Sequence, residues 1–415
     1  MKAIHLESLV FRDVLPKRFA DYEQFLSTRR KNAILGTAKK IKGKRIIHIN
    51  TAPEGGGVAE LLKSLVPLES SVGLKSEWYT ITAPPGYFTM TKKIHNALQS
   101  SPISLTDKEK AVYKEVNRNI ASDLSLLPCA DIYVIHDPQP AAVIADFHQG
   151  AMISRIHIDL SNPNGEVLAF LKPYFKKYDC IVFSMEEFSI PGIDTKKAFI
   201  LPAIDPLVRK NMPLGEDACH TILKKFSIHP NKPLISQVSR FDPWKDPIGV
   251  LQAFYHAKNE IESLQLILVG PLDVKDDPEA LEIFEHVKKN AKGDPDIFLL
   301  TDTDDMLINA VQTASDVVLQ KSLKEGFGLT VTEAMWKGKA VVAGNVGGIV
   351  KQIRSGRDGF LVNTPYEASE RIVEILKDEK LKTRLGKSAK ARVRDNFLIT
   401  RHLHDHLKLY AEVIT

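Results

Sequence analysis

From Arg45 onward, short runs of β-branched and aliphatic residues alternate with longer stretches whose apolar positions recur at helical spacing. The runs fall into two series. The first contains Arg45–Asn50, Ser76–Thr82, Asp131–His136, Met152–Ile158 and Asp179–Ser184; the second contains Pro233–Ser239, Leu264–Val269, Ile297–Leu300, Asp316–Leu319, Ala340–Ala343 and Gly359–Val362. Most of them lack period-two polarity, as strands buried on both faces of a parallel sheet do. Strands alternating with helices in two such series predict an α/β protein of two doubly wound, Rossmann-like domains. Residues 1–43 read differently: they are charged and helix-prone, without a strand run, and close on Lys39-Lys40-Ile41-Lys42-Gly43-Lys44. Phe199–Pro206 ends one strand and carries Pro202 and Pro206 just before a polar stretch, which places the seam there. A last helix, about Thr400–Thr415, offers Leu403, Leu407, Leu409 and Tyr410 for packing, and a return to the first domain would bury them. The expected organisation is therefore an extension over 1–43, a first domain over 44–200, a second over 201–399 and a terminal helix over 400–415. Two such domains facing across a deep cleft bind ligands at the carboxyl ends of their strands.

Composition narrows the class. The chain has 415 residues, 44% hydrophobic and 26% charged, which fits a folded chain of two or three domains and excludes a disordered one. No run approaches the roughly 20 apolar residues a membrane helix needs. Met1–Phe19 has acids and a proline where the apolar core of an export signal would sit, and Cys129, Cys180 and Cys219 lie far apart without a CxxC pair. A reduced, cytoplasmic protein without disulfides or a zinc site is expected. The net charge of +5 comes without a Lys/Arg block, which suits a small anionic ligand and argues against nucleic acid or membrane.

The candidate chemistry sits just past the strands. After Arg45–Asn50 comes Thr51-Ala52-Pro53-Glu54-Gly55-Gly56-Gly57. Three glycines in a row let bare backbone N–H groups approach a ligand at a helix N-terminus. The spacing is not GxGxxG and no acid stands where a dinucleotide ribose needs one, so a small anion or a sugar fits better than a nicotinamide cofactor. After Pro233–Ser239 comes Arg240-Phe241-Asp242-Pro243-Trp244-Lys245, where a guanidinium and an ammonium on a proline-stiffened turn suit a diphosphate. The most informative stretch is Lys324–Met335, in which Glu325 and Glu333 flank a glycine loop and a helix beginning near Leu329. Glu325 in the loop can accept sugar hydroxyls, the amides from Phe327 to Thr330 can hold a phosphate, and Glu333 in the early helix can accept ribose hydroxyls.

These segments together, with Gly356-Arg357-Asp358-Gly359-Phe360-Leu361-Val362, resemble the retaining GT-B glycosyltransferases of the large GT4 family. In the first half, Gly55–Leu68, Thr91–Gln99, His136-Asp137-Pro138-Gln139-Pro140 and Arg155–Ser161 are similar to the trehalose glycosyltransferring synthases of archaea and bacteria. Fungal-type trehalose phosphorylases share much of the pattern. The resemblance implies synthesis of α,α-trehalose from a nucleoside-diphosphate-glucose, UDP- or ADP-glucose, and free glucose, reversibly and with retention. It implies that Arg240 and Lys245 bind the donor diphosphate. Glu325 and the amides of Gly326, Phe327 and Gly328 would hold the glucosyl 3- and 4-hydroxyls. The amides of Leu329 and Thr330 would meet the phosphates, Glu333 the ribose, and Gly56 and Gly57 would come near the phosphates. His136 resembles the family histidine beside the donor's 6-hydroxyl, and Glu54 and Asp159 are the candidates for the acceptor glucose. The basic residue that often precedes Glu-Gly-Phe-Gly is Lys324 here.

No carboxylate stands out as a nucleophile for double displacement. The family's same-face attack, in which the departing phosphate takes the acceptor's proton, is the expected mechanism. A phosphorylase using inorganic phosphate and a non-catalytic sugar-nucleotide-binding regulator are the alternatives. No tightly bound cofactor or metal is expected, magnesium at most stimulating. The partners are small-molecule substrates; the base preference and a homodimer are left open. Three decoys are set aside. Asp302-Thr303-Asp304 reads as a helix cap or a nucleobase loop before it reads as a metal clamp. Gly386-Lys387-Ser388 has Leu381 where a P-loop needs glycine. His402, His404 and His406 put only two rings on one helix face and read as a solvated or interface helix.

Overall fold

A computed structural model describes residues 8–54, 56–272 and 279–414. The chain divides into two compact units, one formed by Met1–Pro202 with Ile399–Thr415, the other by Ala203–Leu398. Thr415 itself lies outside the described residues. No helix among the described residues is long and apolar enough to cross a membrane.

The first unit is built on a seven-stranded sheet in the order Leu9–Phe11, Lys75–Ile81, Arg45–Asn50, Ile132–His136, Ala151–Arg155, Cys180–Phe183, Lys197–Phe199. All neighbours run parallel except Leu9–Phe11, which pairs antiparallel with Lys75–Ile81. That edge strand corrects the expectation that residues 1–43 carry no strand. It is three residues long and flanked by charge, too short for any periodicity to show. The segment is no loose extension either: Phe19, Tyr22, Ile34 and Ala38 are buried. One face of the sheet, with Ile47, Ile49, Tyr133 and Ile135, belongs to the main core. The other carries Trp78 against Ala59, Leu62 and Val66 of the helix Gly57–Ser71. The terminal helix, Ile399–Val413, packs on that helix and on Thr28–Lys40, burying Leu403, Leu407, Leu409 and Tyr410.

The second unit has a six-stranded, all-parallel sheet in the order Ile297–Leu300, Gln265–Val269, Leu234–Val238, Val317–Gln320, Ala340–Gly344, Phe360–Val362. In each sheet the first parallel strand, Arg45–Asn50 or Leu234–Val238, lies between the strand that follows it and a later one. The winding reverses there, and such a reversal opens a crevice at the carboxyl ends.

Two decoys resolve as structural parts. Asp304 caps the helix Asp305–Ala314, its carboxylate accepting from the Met306 amide at 2.8 Å. Gly386-Lys387-Ser388 lies inside the helix Glu379–Asn396, where Ser388 bonds to the buried Asp358 at 2.6 Å. Gly386 lets that helix approach Gly338: a Cβ added to it would stand 2.0 Å from the Gly338 carbonyl oxygen. Alanine normally gains about 1 kcal/mol over glycine inside a helix, but overpacking of this kind costs about 1–3 kcal/mol, so the clash wins. Gly386→Ala is expected to lower the thermal unfolding midpoint. Gly36, exposed in the helix Thr28–Lys40 with nothing within 4 Å of its added Cβ, has only the helix term. Gly36→Ala should therefore raise stability by about 0.5–1 kcal/mol. Opposite signs in a thermal melt of the two variants check the argument, and a stabilised Gly386→Ala protein would refute the close approach.

Candidate active site

In the second unit, the turn after Leu234–Val238 is stiffened by Asp242, whose carboxylate accepts from the Trp244 amide at 2.8 Å and from the Arg240 guanidinium at 3.1 Å. The next turn places Asp246 at φ 49°, capping the helix Pro247–Lys258 through the Gly249 amide at 3.0 Å. Lys245 between them reaches Glu325, Nζ to Oε2 2.6 Å, across 80 residues of sequence. The two strands that feed these loops are sheet neighbours, which explains the meeting. Gln237 ties the loops together, donating to the Lys245 carbonyl at 2.9 Å and accepting from the Lys321 amide at 3.0 Å. Lys321 in turn is paired with Asp246.

Glu325 also accepts from the Ser322 hydroxyl at 3.2 Å. Behind it, Gly347 at φ 49° and Gly348 press against the loop: added Cβ atoms would fall 1.7 Å from the Glu325 carbonyl oxygen and 2.4 Å from that of Gly326. Gly328, at φ 82°, turns the chain into the helix Leu329–Trp336. Gln352 donates to the carbonyls of Phe327 and Gly328 and accepts from the Thr332 hydroxyl at 2.6 Å. Phe327 is buried against Phe397. Among the described residues no acceptor is bonded to the Leu329 and Thr330 amides, an arrangement that can receive an anion. Arg240, Lys245, Glu325 and the Gly326–Thr330 loop are thus brought together at the carboxyl edge of one sheet. Glu333 lies deeper. It is buried and paired with Lys210 at 2.7 Å; burial pushes its carboxyl up, but Lys210 and Lys337 outweigh it and hold it below the usual range. Lys337, itself pushed down to about 8 by burial, donates to Gln312 at 2.9 Å. Lys337 stands one helical turn past Glu333, whereas Lys210 was not legible as part of the site because it needs the fold to bring it there.

In the first unit, Gly56 precedes the helix Gly57–Ser71, and an added Cβ there would meet nothing within 4 Å. Its φ of −153° suits any residue, so neither packing nor conformation demands glycine. Gly55 lies outside the described residues. Glu54 is exposed, with Lys63 3.8 Å away. Asp159 accepts from the Ser161 amide at 2.8 Å in the loop after Ala151–Arg155. His136 ends its strand fully buried. Its Nε2 meets His48 Nδ1 at 3.1 Å and its Nδ1 meets His157 Nε2 at 2.9 Å. As placed, both its ring nitrogens are engaged by neighbouring imidazoles. Burial first, then the neighbouring rings and Arg155, hold His136 well below the usual imidazole range. Burial and Arg155 do the same to His157. Beyond His48, Nε2 meets Glu69 Oε2 at 3.0 Å. Glu69 also accepts from Ser76 at 2.5 Å and from Tyr410 at 2.9 Å, and the Tyr410 hydroxyl lies 3.0 Å from His406 Nδ1. His402 and His406 are buried, so the expectation of a solvated helix face fails for them, although packing against the first unit agrees with the interface half of that reading. Among the described residues no group of three or more His, Cys, Asp or Glu side chains is placed to hold a metal.

Residues 48–190 match the family described as trehalose synthase, N-terminal domain, and residues 220–392 match glycosyl transferases group 1. The chain is 42% identical to a trehalose synthase of Pyrococcus horikoshii, over 95% of this chain and 96% of the relative. It is 41% identical to a trehalose synthase of Rubrobacter xylanophilus, over 96% and 97%. A trehalose phosphorylase of Pleurotus sajor-caju is 28% identical, over 81% of this chain but 53% of that protein. Among solved structures, a sucrose-phosphate synthase from Thermosynechococcus elongatus has a TM-score of 0.69 at 18% identity, covering 89% of this chain and 98% of that one. Two Rossmann-like units of this kind make up the GT-B fold. With matched halves and near-complete coverage at this level of identity, the chain belongs to the trehalose synthase family of glycosyltransferases, its second unit a glycosyl transferases group 1 domain.

Proposed function

We propose that the protein makes α,α-trehalose from a nucleoside-diphosphate-glucose and free glucose, with retention and reversibly, the second unit holding the donor. The observation that carries this reading is the Lys245–Glu325 pair, with Arg240 in the same loop as Lys245 and unbonded amides at Leu329 and Thr330. A lysine ammonium has three donors; one goes to Glu325 and two remain for a phosphate. The same contact orients the Glu325 carboxylate, whose other oxygen is then the acceptor for glucosyl hydroxyls. When the glycosidic bond to the diphosphate breaks, negative charge grows on the leaving oxygen. The ammonium, the guanidinium and the amides at that helix end are the preorganised groups that would stabilise it. In this reading the departing phosphate takes the acceptor's proton, and Glu54 and Asp159 are acceptor-side candidates. Product analysis with UDP-, ADP- and GDP-glucose and glucose tests the reaction. Cleavage of trehalose by inorganic phosphate, with none by UDP or ADP, would replace the proposal with a phosphorylase.

Arg240→Ala and Lys245→Ala should each lower turnover by about 10²–10³. The effects of Lys245→Ala and Glu325→Ala should not add, because each leaves the other without its partner. Additive losses in the double mutant would remove the shared role.

Glu325→Ala separates sugar from nucleotide. Free UDP has no sugar and should bind the variant nearly as well as the parent. UDP-glucose loses a charged acceptor worth about 1.5–3 kcal/mol, and the misplaced sugar lowers turnover further. Calorimetry with UDP beside initial rates measures both; a large loss of UDP affinity with intact turnover would reverse the orientation of the donor.

A further inference from the structure

The second unit's sheet carries, at its amino edge, a cavity that the transfer chemistry does not use. It opens where the neighbouring parallel strands Val317–Gln320 and Ala340–Gly344 begin, against the helix Glu379–Asn396, and has a volume of about 370 Å³. The loop bearing Glu325 leaves the other end of Val317–Gln320, so about 13 Å of strand separates the two places. Two close backbones shape the recess. The turn at Gly338, φ 74°, lies against Gly386 of the helix, whose added Cβ would fall 2.0 Å from the Gly338 carbonyl oxygen. Concave sites of a few hundred cubic ångströms take small molecules.

The lining is rich in one sign of charge. Lys339, Lys382, Lys387 and Lys390 face the cavity, with Asp316 and Glu379 as its carboxylates. Both carboxylates are taken by one lysine: Lys382 pairs with Asp316 and with Glu379, each at 2.8 Å. The other Asp316 oxygen accepts from the Leu234 amide at 3.0 Å. Lys390 lies over the Trp336 ring, 5.3 Å from its centroid. Lys339 and Lys387 have no hydrogen bond or ion pair through their side chains among the described residues. Lys387 is exposed, but Lys339 is half-buried. Burial holds the Lys339 ammonium below the usual lysine range, against the attraction of Asp316. A half-buried ammonium without a partner is costly, and an anion in the cavity would offset that cost. Thr383, Lys387 and Lys390 also line it, at successive spacings of four and three residues that put them on one face of their helix. An adjoining recess adds Lys380 and Arg384.

We propose that this cavity binds the phosphate group of a small molecule, at a site separate from the donor's, with Lys339 and Lys387 as its direct ligands and Lys390 adding to the field around it. Phosphate suits the place better than a single carboxylate does. The ammoniums reach the cavity from two elements, a strand start and a helix face, and a phosphate has an oxygen for each. Its charge of up to two also balances a lining whose carboxylates are already paired. Free phosphate and a phosphate monoester share this chemistry, and the test separates them.

The test titrates inorganic phosphate into the full chain carrying Arg240→Ala and Lys245→Ala, so that the carboxyl edge cannot supply the signal. Calorimetry at constant ionic strength is expected to show binding there. Adding Lys339→Met keeps the apolar stem and removes the charge, and should weaken binding at least about tenfold, as the loss of a charged hydrogen bond does. Adding Lys387→Ala instead removes an exposed charge and should weaken it about two- to fivefold. Lys339→Met takes away an unpaired, half-buried charge, so the thermal midpoint of the phosphate-free protein should not fall, and lost binding is then not lost folding. Glycerol 3-phosphate is titrated beside phosphate: tighter binding than phosphate assigns the site to an ester, weaker binding to the free anion. In the parent, Lys339→Met alone should remove one equivalent of bound phosphate, which decides the matter even where the Arg240→Ala, Lys245→Ala protein does not fold. Binding of neither probe, an affinity unmoved by Lys339→Met, or an unchanged stoichiometry in the parent would each overturn the proposal.

Discussion

Much of the second unit's carboxyl edge depends on one ion pair, between Lys245 and Glu325. The side chains are 18% and 10% exposed, so neither charge is well solvated, and removing one would leave the other stranded. Such a pair is weak evidence for stability by itself, since two charges have been taken from water. Here it fixes geometry. It joins loops from two neighbouring strands, and Gln237, the Lys321–Asp246 pair and the Gly347–Gly348 backbone hold those loops from behind. The ammonium and the carboxylate each keep capacity for a ligand because neither is fully consumed by the other.

The first unit solves a different problem at its carboxyl edge. It has buried two imidazoles, His48 and His136, and the Glu69 carboxylate on the side of the sheet opposite its main apolar core, with His157 half-buried at the edge, where an unpaired polar group would be costly. The rings satisfy one another in series, and Tyr410 from the terminal helix completes the coordination of Glu69. Arg155 is the less comfortable member of this interior. It is fully buried with one donor on the Ile200 carbonyl at 2.7 Å, and burial brings its guanidinium down to about 9. Burial first, and the Arg155 charge after it, hold His136 and His157 well below the usual imidazole range.

The parallel strands were legible because burial on both faces leaves unbroken apolar runs: Arg45–Asn50 and Ile297–Leu300 fall where the pattern puts them, and the others shift by one to three residues at an end. Leu9–Phe11 was not, since three residues between charges carry no period. Glu325 and Lys245 were found because glycine and proline mark their loops. That they bond to each other follows from strand order, which no local pattern contains. His48 stayed hidden inside a run read as strand. His402 and His406 looked polar and therefore solvated, yet they are buried, His402 against the Leu201 carbonyl and His406 against the Tyr410 hydroxyl. Polar residues placed inward by distant partners are what periodicity misreads.

The terminal helix has a consequence for how the protein is made. The first unit is discontinuous: residues 1–202 leave the ribosome early, but 399–415 emerge only after the whole second unit has been synthesised. Domains usually fold in the order of translation. Here the contiguous second unit can close while the first still lacks a helix, and Glu69 lacks the Tyr410 hydroxyl until that helix has been synthesised. The nascent chain therefore carries a first unit whose sheet is complete but whose helix Gly57–Ser71 lacks its partner Ile399–Val413, for about 200 residues of synthesis. A helix encoded after the whole second unit is thus the closing piece of the first.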